Sequence, residues 1–240
     1  MAVPAGTVSD ELLAGPSVAH PLGTDNIGRD VLSGILEGAR VSLLTGFAAA
    51  ALSLLIGVGV GSVAGYFEGW AGGLLMRVAE LFQVLPSMVM AIVAVAIIGP
   101  STGVIVCIIA LTMWPETSRV VRAQFLTFKE REFVESARSV GFGPWYIIAR
   151  EILPNALPAA VIVGTLGVGR GILVESGLSY LGLGDPNAAS WGQMLNRAQP
   201  YLSTAWWMSV FPGVAILLVV LAVNLCGDAL NDRLNQGDRR

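Results

Sequence analysis

Few residues in this 240-residue chain could do covalent or metal chemistry. His20 is the only histidine, which excludes His-pair metal sites and makes a Ser-His-Asp triad implausible. Lys129 is the only lysine and Glu130 follows it, so no Gly-Lys-Ser/Thr phosphate loop exists here. Cys107 lies in an apolar run and Cys226 near the end of another, which reads as two buried reduced thiols rather than a disulfide. No residue reads as catalytic, and no cofactor or metal is expected on this chain. Whatever energy the protein uses must come from a partner or a gradient.

What remains is charge in unusual places. Only 13% of residues are charged, against about 25% in a soluble domain, and 54% are hydrophobic with mean hydropathy +0.70. The net charge of −3 gives no reason to expect nucleic acid. Arg170 and Glu175 nevertheless fall inside an apolar run. An Arg at a membrane centre costs roughly 2.5–3.5 kcal/mol on insertion scales, so it must face a partner or a watery path. Either it lines a pathway for charged substrate, or it forms a structural ion pair with Glu175 or a neighbouring subunit. Glu116 precedes Arg119 by three residues, a pairing distance on a helix.

The elements that position these charges are apolar spans. A spanning helix needs about 20 mainly apolar residues, and five such runs occur, near 41–65, 79–98, 103–122, 157–180 and 205–227. The runs are continuous rather than alternating, so the expected class is an all-α polytopic bundle in the lipid bilayer. Gly57, Gly61 and Gly65 recur every fourth residue, a smooth stripe suited to close helix packing. Residues 1–40 form a lead-in without the basic start or apolar core of a secretory leader. Residues 228–240 form a tail.

Basic residues orient the bundle. Arg119, Arg122, Lys129, Arg131, Arg138 and Arg150 follow the third span, and Arg233, Arg239 and Arg240 lie in the tail. Segment 181–204 holds only Arg197. The connection at 129–153 and the C-terminus are therefore expected on the cytoplasmic side, with the N-terminus outside. Within that connection, Glu132–Val140 suits a helix that Gly141 can end in a left-handed conformation. Pro144 suits the first turn of a second helix near 144–151. Trp145, Ile148 and Ile152 share one stripe there. The segment is either an interfacial connector resting on headgroups or a docking knob for a soluble protein.

Here a resemblance becomes specific. "ESARSVG", ten residues and "ILP" resemble the cytoplasmic signature loop of ATP-binding-cassette import permeases: Glu-Ala-Ala, three residues, Gly, nine residues, Ile-x-Leu-Pro. Glu135, Ala137, Gly141, Leu153 and Pro154 match, whereas Ser136 departs and Glu151 occupies the first Ile position. "HPLGTDNIGRDVLSGILEGARVSL", "WPETSRVVRAQFLTFKEREFVESARSVG", "ILVESGLSYLGLGDPNAASWGQML" and "NLCGDALNDRLN" are similar to the dipeptide/oligopeptide/nickel branch, in order along the chain. Arg170 and Glu116 stand where that branch usually has uncharged residues.

The resemblance implies a type I importer permease of the bacterial inner membrane, itself not an enzyme. In that family a second homologous permease completes the pore, two ATPase subunits bind ATP and Mg, and an extracytoplasmic binding protein delivers substrate. Glu135, Ser136, Ala137, Gly141, Phe142, Pro144, Trp145, Leu153 and Pro154 are the expected ATPase-coupling residues. Trp191, in the later outer segment, is either a contact for the binding protein or an interfacial aromatic anchor. The family has six spans with both ends inside. Its usual first span is missing here, either because the start lies downstream of the true one, which is the favoured account, or because the first helix is absent in this lineage. Di- or oligopeptides are the expected cargo; nickel, glutathione or another small solute fits the same architecture. A stand-alone secondary transporter would need ionisable residues along a proton path, for which only Arg170 and Glu175 speak, and a non-transporting scaffold would not need the loop.

Overall fold

The computed structural model describes residues 9–84 and 86–237. Arg239 and Arg240 of the tail, and residues 1–8 of the lead-in, lie outside the described residues. Most of the described residues are helical, and they contain a single isolated antiparallel bridge, between Thr24 and Asp30. In chain order the elements are α1 (Val31–Tyr66), α2 (Trp70–Val84), α3 (Ser87–Ile98), α4 (Thr102–Lys129), α5 (Glu132–Ser139), α6 (Pro144–Tyr146) with a π-helical turn (Ile147–Ile152), α7 (Leu153–Tyr180), α8 (Trp191–Ala198) and α9 (Trp207–Gly237).

Among the described residues, four helices are long and apolar enough to cross a membrane: Val31–Tyr66, Thr102–Lys129, Pro144–Tyr180 and Trp207–Arg233. The pair α2 and α3 makes a fifth if counted as one span. This corrects the expected unbroken span at 79–98. The uncharged run is interrupted between Val84 and Ser87, where Pro86 lacks the N–H that an intact helix would use. α1 also begins ten residues before the expected span, carrying Glu37 and Arg40 on its first turns. At 1.5 Å per residue its 36 residues far exceed a hydrocarbon core of about 30 Å. Hydropathy marks the part of a helix that wants lipid, and the helix itself continues. The same holds for α9, which runs through all of the described tail. Cys107 and Cys226 are free thiols, as expected, but both are exposed rather than buried.

The chain divides into two compact units, to both of which α1, α4, α7 and α9 contribute. The first contains residues 9–48, 88–108 and 169–222. There the lead-in folds onto the starts of α1 and α9. His20 Nδ1 lies 3.1 Å from Asp30 Oδ1, and Asp30 Oδ2 accepts the Ser33 N–H that opens α1. The Trp207 indole N–H donates to the Thr24 carbonyl at 3.1 Å. Val31, Ala198, Ala205, Trp207 and Met208 form the apolar core beneath.

The second unit contains the described residues of 49–87, 109–168 and 223–237. Here the glycine stripe of α1 lies against α4. A Cβ on Gly57 would sit 2.5 Å from Thr117 Cβ, one on Gly61 2.5 Å from the Ser118 carbonyl oxygen, and one on Gly65 2.4 Å from Phe125 Cβ. No larger residue fits these three sites without separating the helices.

Candidate functional site

The strongest surface feature of the second unit is the connection between α4 and α7. α5 buries Val134 and Ala137 on one side and exposes Glu135, Ser136 and Arg138 on the other. Its end is a closed double hydrogen-bonded cap. The Phe142 N–H donates to the Ala137 carbonyl (3.1 Å) and the Gly141 N–H to that of Arg138 (2.9 Å), the pairing of a Schellman motif. Gly141 has φ +91°, and no atom lies within 4 Å of where its Cβ would be. Conformation, not space, therefore demands glycine here. Gly143 is extended, and Pro144 follows in the first turn of α6.

The expected second helix at 144–151 does not end there. It continues through a π-turn into α7, with the Leu153 N–H reaching the Ile148 carbonyl five residues back. Pro154 accounts for the wide turn: it has no N–H for the Arg150 carbonyl, and its ring would strike that carbonyl in regular α geometry. Trp145 also departs from the expected stripe. Ile147, Ile148 and Ile152 point inward, while Trp145 is 66% exposed.

Anchor and surface are thus cleanly separated. Val134, Ala137, Ile147, Ile148 and Ile152 join Val121 and Phe125 of α4 and Ala156 and Ala160 of α7 in one core. Burying each large aliphatic side chain contributes about 1.5–3 kcal/mol, so the knob is fixed to two long helices. Outward stand Val140, Phe142, Trp145 and Tyr146. The Phe142 and Tyr146 rings stack 4.2 Å apart at 13°. Leu153 is half-buried and Pro154 exposed beyond this surface.

A second fastening had no expectation attached. Lys129 donates to Glu68 Oε1 (2.9 Å) and to the Tyr66 carbonyl (2.8 Å), tying the end of α4 to the α1–α2 turn. Its hydrogen bond and charge hold the exposed Glu68 carboxyl below the usual carboxylate range. The Tyr66 ring has Lys129 Nζ at 5.6 Å and Arg138 Cζ at 5.8 Å from its centroid, within cation–π reach. Phe67 meets Trp145 edge-on at 5.7 Å. The only signal in the sequence was one lone acid after the first span and the single lysine.

In the first unit, Trp191 is 2% exposed. Its backbone N–H donates to Ser42 Oγ (3.2 Å) and its indole N–H to the Ile35 carbonyl (2.9 Å). The side chain locks α8 to α1, which corrects its reading as a binding-protein contact or lipid-interface anchor. Arg170 and Glu175 are five residues apart, about 140° around a helix. Accordingly Arg170 is exposed and Glu175 buried. Glu175 accepts from Ser179 (2.7 Å), Ser42 and Ser176 (both 3.4 Å), so hydroxyls, not the Arg170 guanidinium, answer its carboxylate.

Known proteins resemble this arrangement. The family described as binding-protein-dependent transport system inner membrane component matches residues 57–240. The glutathione transport system permease protein GsiD of Pectobacterium atrosepticum is 40% identical over 227 residues, covering 94% of this chain and 75% of the relative. The dipeptide transport system permease protein DppC of Alkalihalophilus pseudofirmus is 39% identical over 224 residues, covering 93% and 74%. A solved chain of the MetNI methionine ABC transporter, in an inward-facing crystal form, matches with TM-score 0.65 over 82% of this chain and 94% of its own. Its sequence is 16% identical, so that likeness speaks for the fold alone. Together the family match and the relatives make this chain a member of the binding-protein-dependent transport system inner membrane components, a multi-pass permease subunit of an ABC importer.

Proposed function

We propose that this subunit forms, with a homologous permease, the translocation path for di- or oligopeptides, which an extracytoplasmic binding protein delivers. Two separate ATPase subunits bind ATP and Mg and supply the energy. The observation that carries the reading is the aromatic knob, exposed on one side and bolted to α4 and α7 on the other. Its exposed rings fill a cleft on one ATPase, and Glu135 meets basic residues there. Drawing the ATPases together then moves the knob, and stiff helices carry that movement into the spans as a switch between two states. On this reading the knob and the C-terminus are cytoplasmic, and Arg170 stands along the path or at the contact with the second permease.

Peptide cargo draws its support from the relatives, which include dipeptide and glutathione permeases. The test is uptake of labelled dipeptide by proteoliposomes holding the complete complex and its binding protein. ATP-dependent accumulation that unlabelled oligopeptide suppresses is expected. Accumulation of glutathione or nickel with no peptide uptake would replace the cargo, and uptake by this chain alone would overturn the mechanism.

A further inference from the structure

α7 buries a carboxylate that has no cationic partner among the described residues. Glu175 is 3% exposed, and all of its hydrogen bonds come from serine hydroxyls. Removing a carboxylate from water costs several kcal/mol unless a countercharge or a proton compensates it. Beside it lies a small cavity in the first unit, walled by Thr45, Thr102, Glu175, Asp185 and Ser190. It leaves about 10 Å³ for the centre of a water-sized body, room for one such occupant.

Two further observations concern the occupant. Thr45 Oγ1 on this wall is buried and has no hydrogen-bond partner among the described residues. Asp185 accepts from the Thr102 N–H (2.9 Å), the Thr102 hydroxyl (2.8 Å) and the Asn187 N–H (3.0 Å). The two backbone donors chiefly hold its carboxyl below the usual range, so it carries charge. The wall thus combines two acids with an orphan hydroxyl oxygen and includes no Lys or Arg. Val41, Thr102 and Ala188 also line a wider open groove, whose wall carries Glu37 and Arg40.

We propose that this cavity binds a single hard metal cation of the Na⁺ or Ca²⁺ class, with Glu175, Asp185 and Thr45 Oγ1 among its ligands. The wall offers oxygen donors and neither imidazole nor thiolate, which selects against zinc and copper. One oxygen of each carboxylate keeps a lone pair for an ion: Glu175 Oε1 and Asp185 Oδ1 accept one hydrogen bond each, from Ser179 and Asn187, whereas Oε2 and Oδ2 each accept two. A bound ion joins α1 through Thr45, α7 through Glu175 and the α7–α8 connection through Asp185. It neutralises a charge that serine dipoles alone leave uncompensated.

The test is thermal unfolding of the full chain in lipid nanodiscs, chelator-treated and held in choline chloride. Titration with NaCl or CaCl2 at matched ionic strength should raise the midpoint saturably, as binding to the folded state requires. The more effective salt identifies the ion. Thr45→Val removes one ligand at nearly constant shape and should weaken apparent affinity about tenfold or more, while Thr45→Ser retains it. Glu175→Gln should abolish the response. The proposal fails if neither salt moves the midpoint relative to choline. It fails equally if Thr45→Val and Glu175→Gln respond as the parent does, since the ion then binds elsewhere.

Discussion

Substituting Gly141 tests whether the knob works because of its turn. With φ at +91° and open space around the missing Cβ, any penalty is conformational. An L-residue in left-handed geometry costs roughly 1–2 kcal/mol, Asn less because its side chain tolerates that region, and a β-branched residue more. The two cap hydrogen bonds, from Gly141 to Arg138 and from Phe142 to Ala137, contribute about 1 kcal/mol each and are lost together if the turn opens. Gly141→Ala should therefore shift the closed turn towards open about 5- to 30-fold, and Gly141→Val further. The complex, reconstituted in proteoliposomes, should keep ATP hydrolysis while peptide uptake per ATP falls in the order Gly, Asn, Ala, Val. The bundle should stay inserted, because the anchoring core at Ile147, Ile148 and Ile152 is untouched. Normal coupling in the Val variant, or an order that follows side-chain volume with Asn below Ala, would refute the argument.

Three other outcomes are expected. Glu135→Arg reverses an exposed charge on α5 and should reduce co-purification of the ATPase subunits; an unchanged complex would remove Glu135 from the docking surface. Gly61→Val places a Cβ 2.5 Å from the Ser118 carbonyl oxygen, and such overpacking costs about 1–3 kcal/mol, so a lower unfolding midpoint in detergent is expected and an unaltered one would contradict the α1–α4 contact. Because Lys129 depresses the Glu68 carboxyl, that pair's stabilisation is present above the unfolded carboxylate value and is lost as pH falls through the folded one. Lys129→Met should raise the Glu68 midpoint, followed by carboxyl NMR, and no movement would dissolve the pair.

Much of the fold was legible because lipid imposes a simple rule on composition, and four of the five apolar runs each fall on one long helix. The turn was legible too, since Gly141 and Pro144 have local conformational meanings that need no tertiary context. What failed did so for physical reasons. Absence of charge concealed the break near Pro86, because hydropathy is blind to a missing N–H. It also set the start of α1 too late, since a helix need not stop where water begins. Trp191 and Glu175 are answered by Ser42, 149 and 133 residues away, and no local pattern encodes such distant partners. Trp145 sits on the expected helix but off its inward face, because the chain widens into a π-turn just beyond it.

The fastening around Tyr66 determines how far a push can spread. Its ring lies within reach of one cation from the end of α4 and one from α5, its carbonyl is gripped by the same lysine, and the next residue meets Trp145. A thrust delivered to the aromatic patch is therefore shared at once with the foot of α1, although no peptide bond joins the two directly. This end of the second unit behaves less like a lone oar than like a yoke, in which three rods are harnessed before any of them begins to lean.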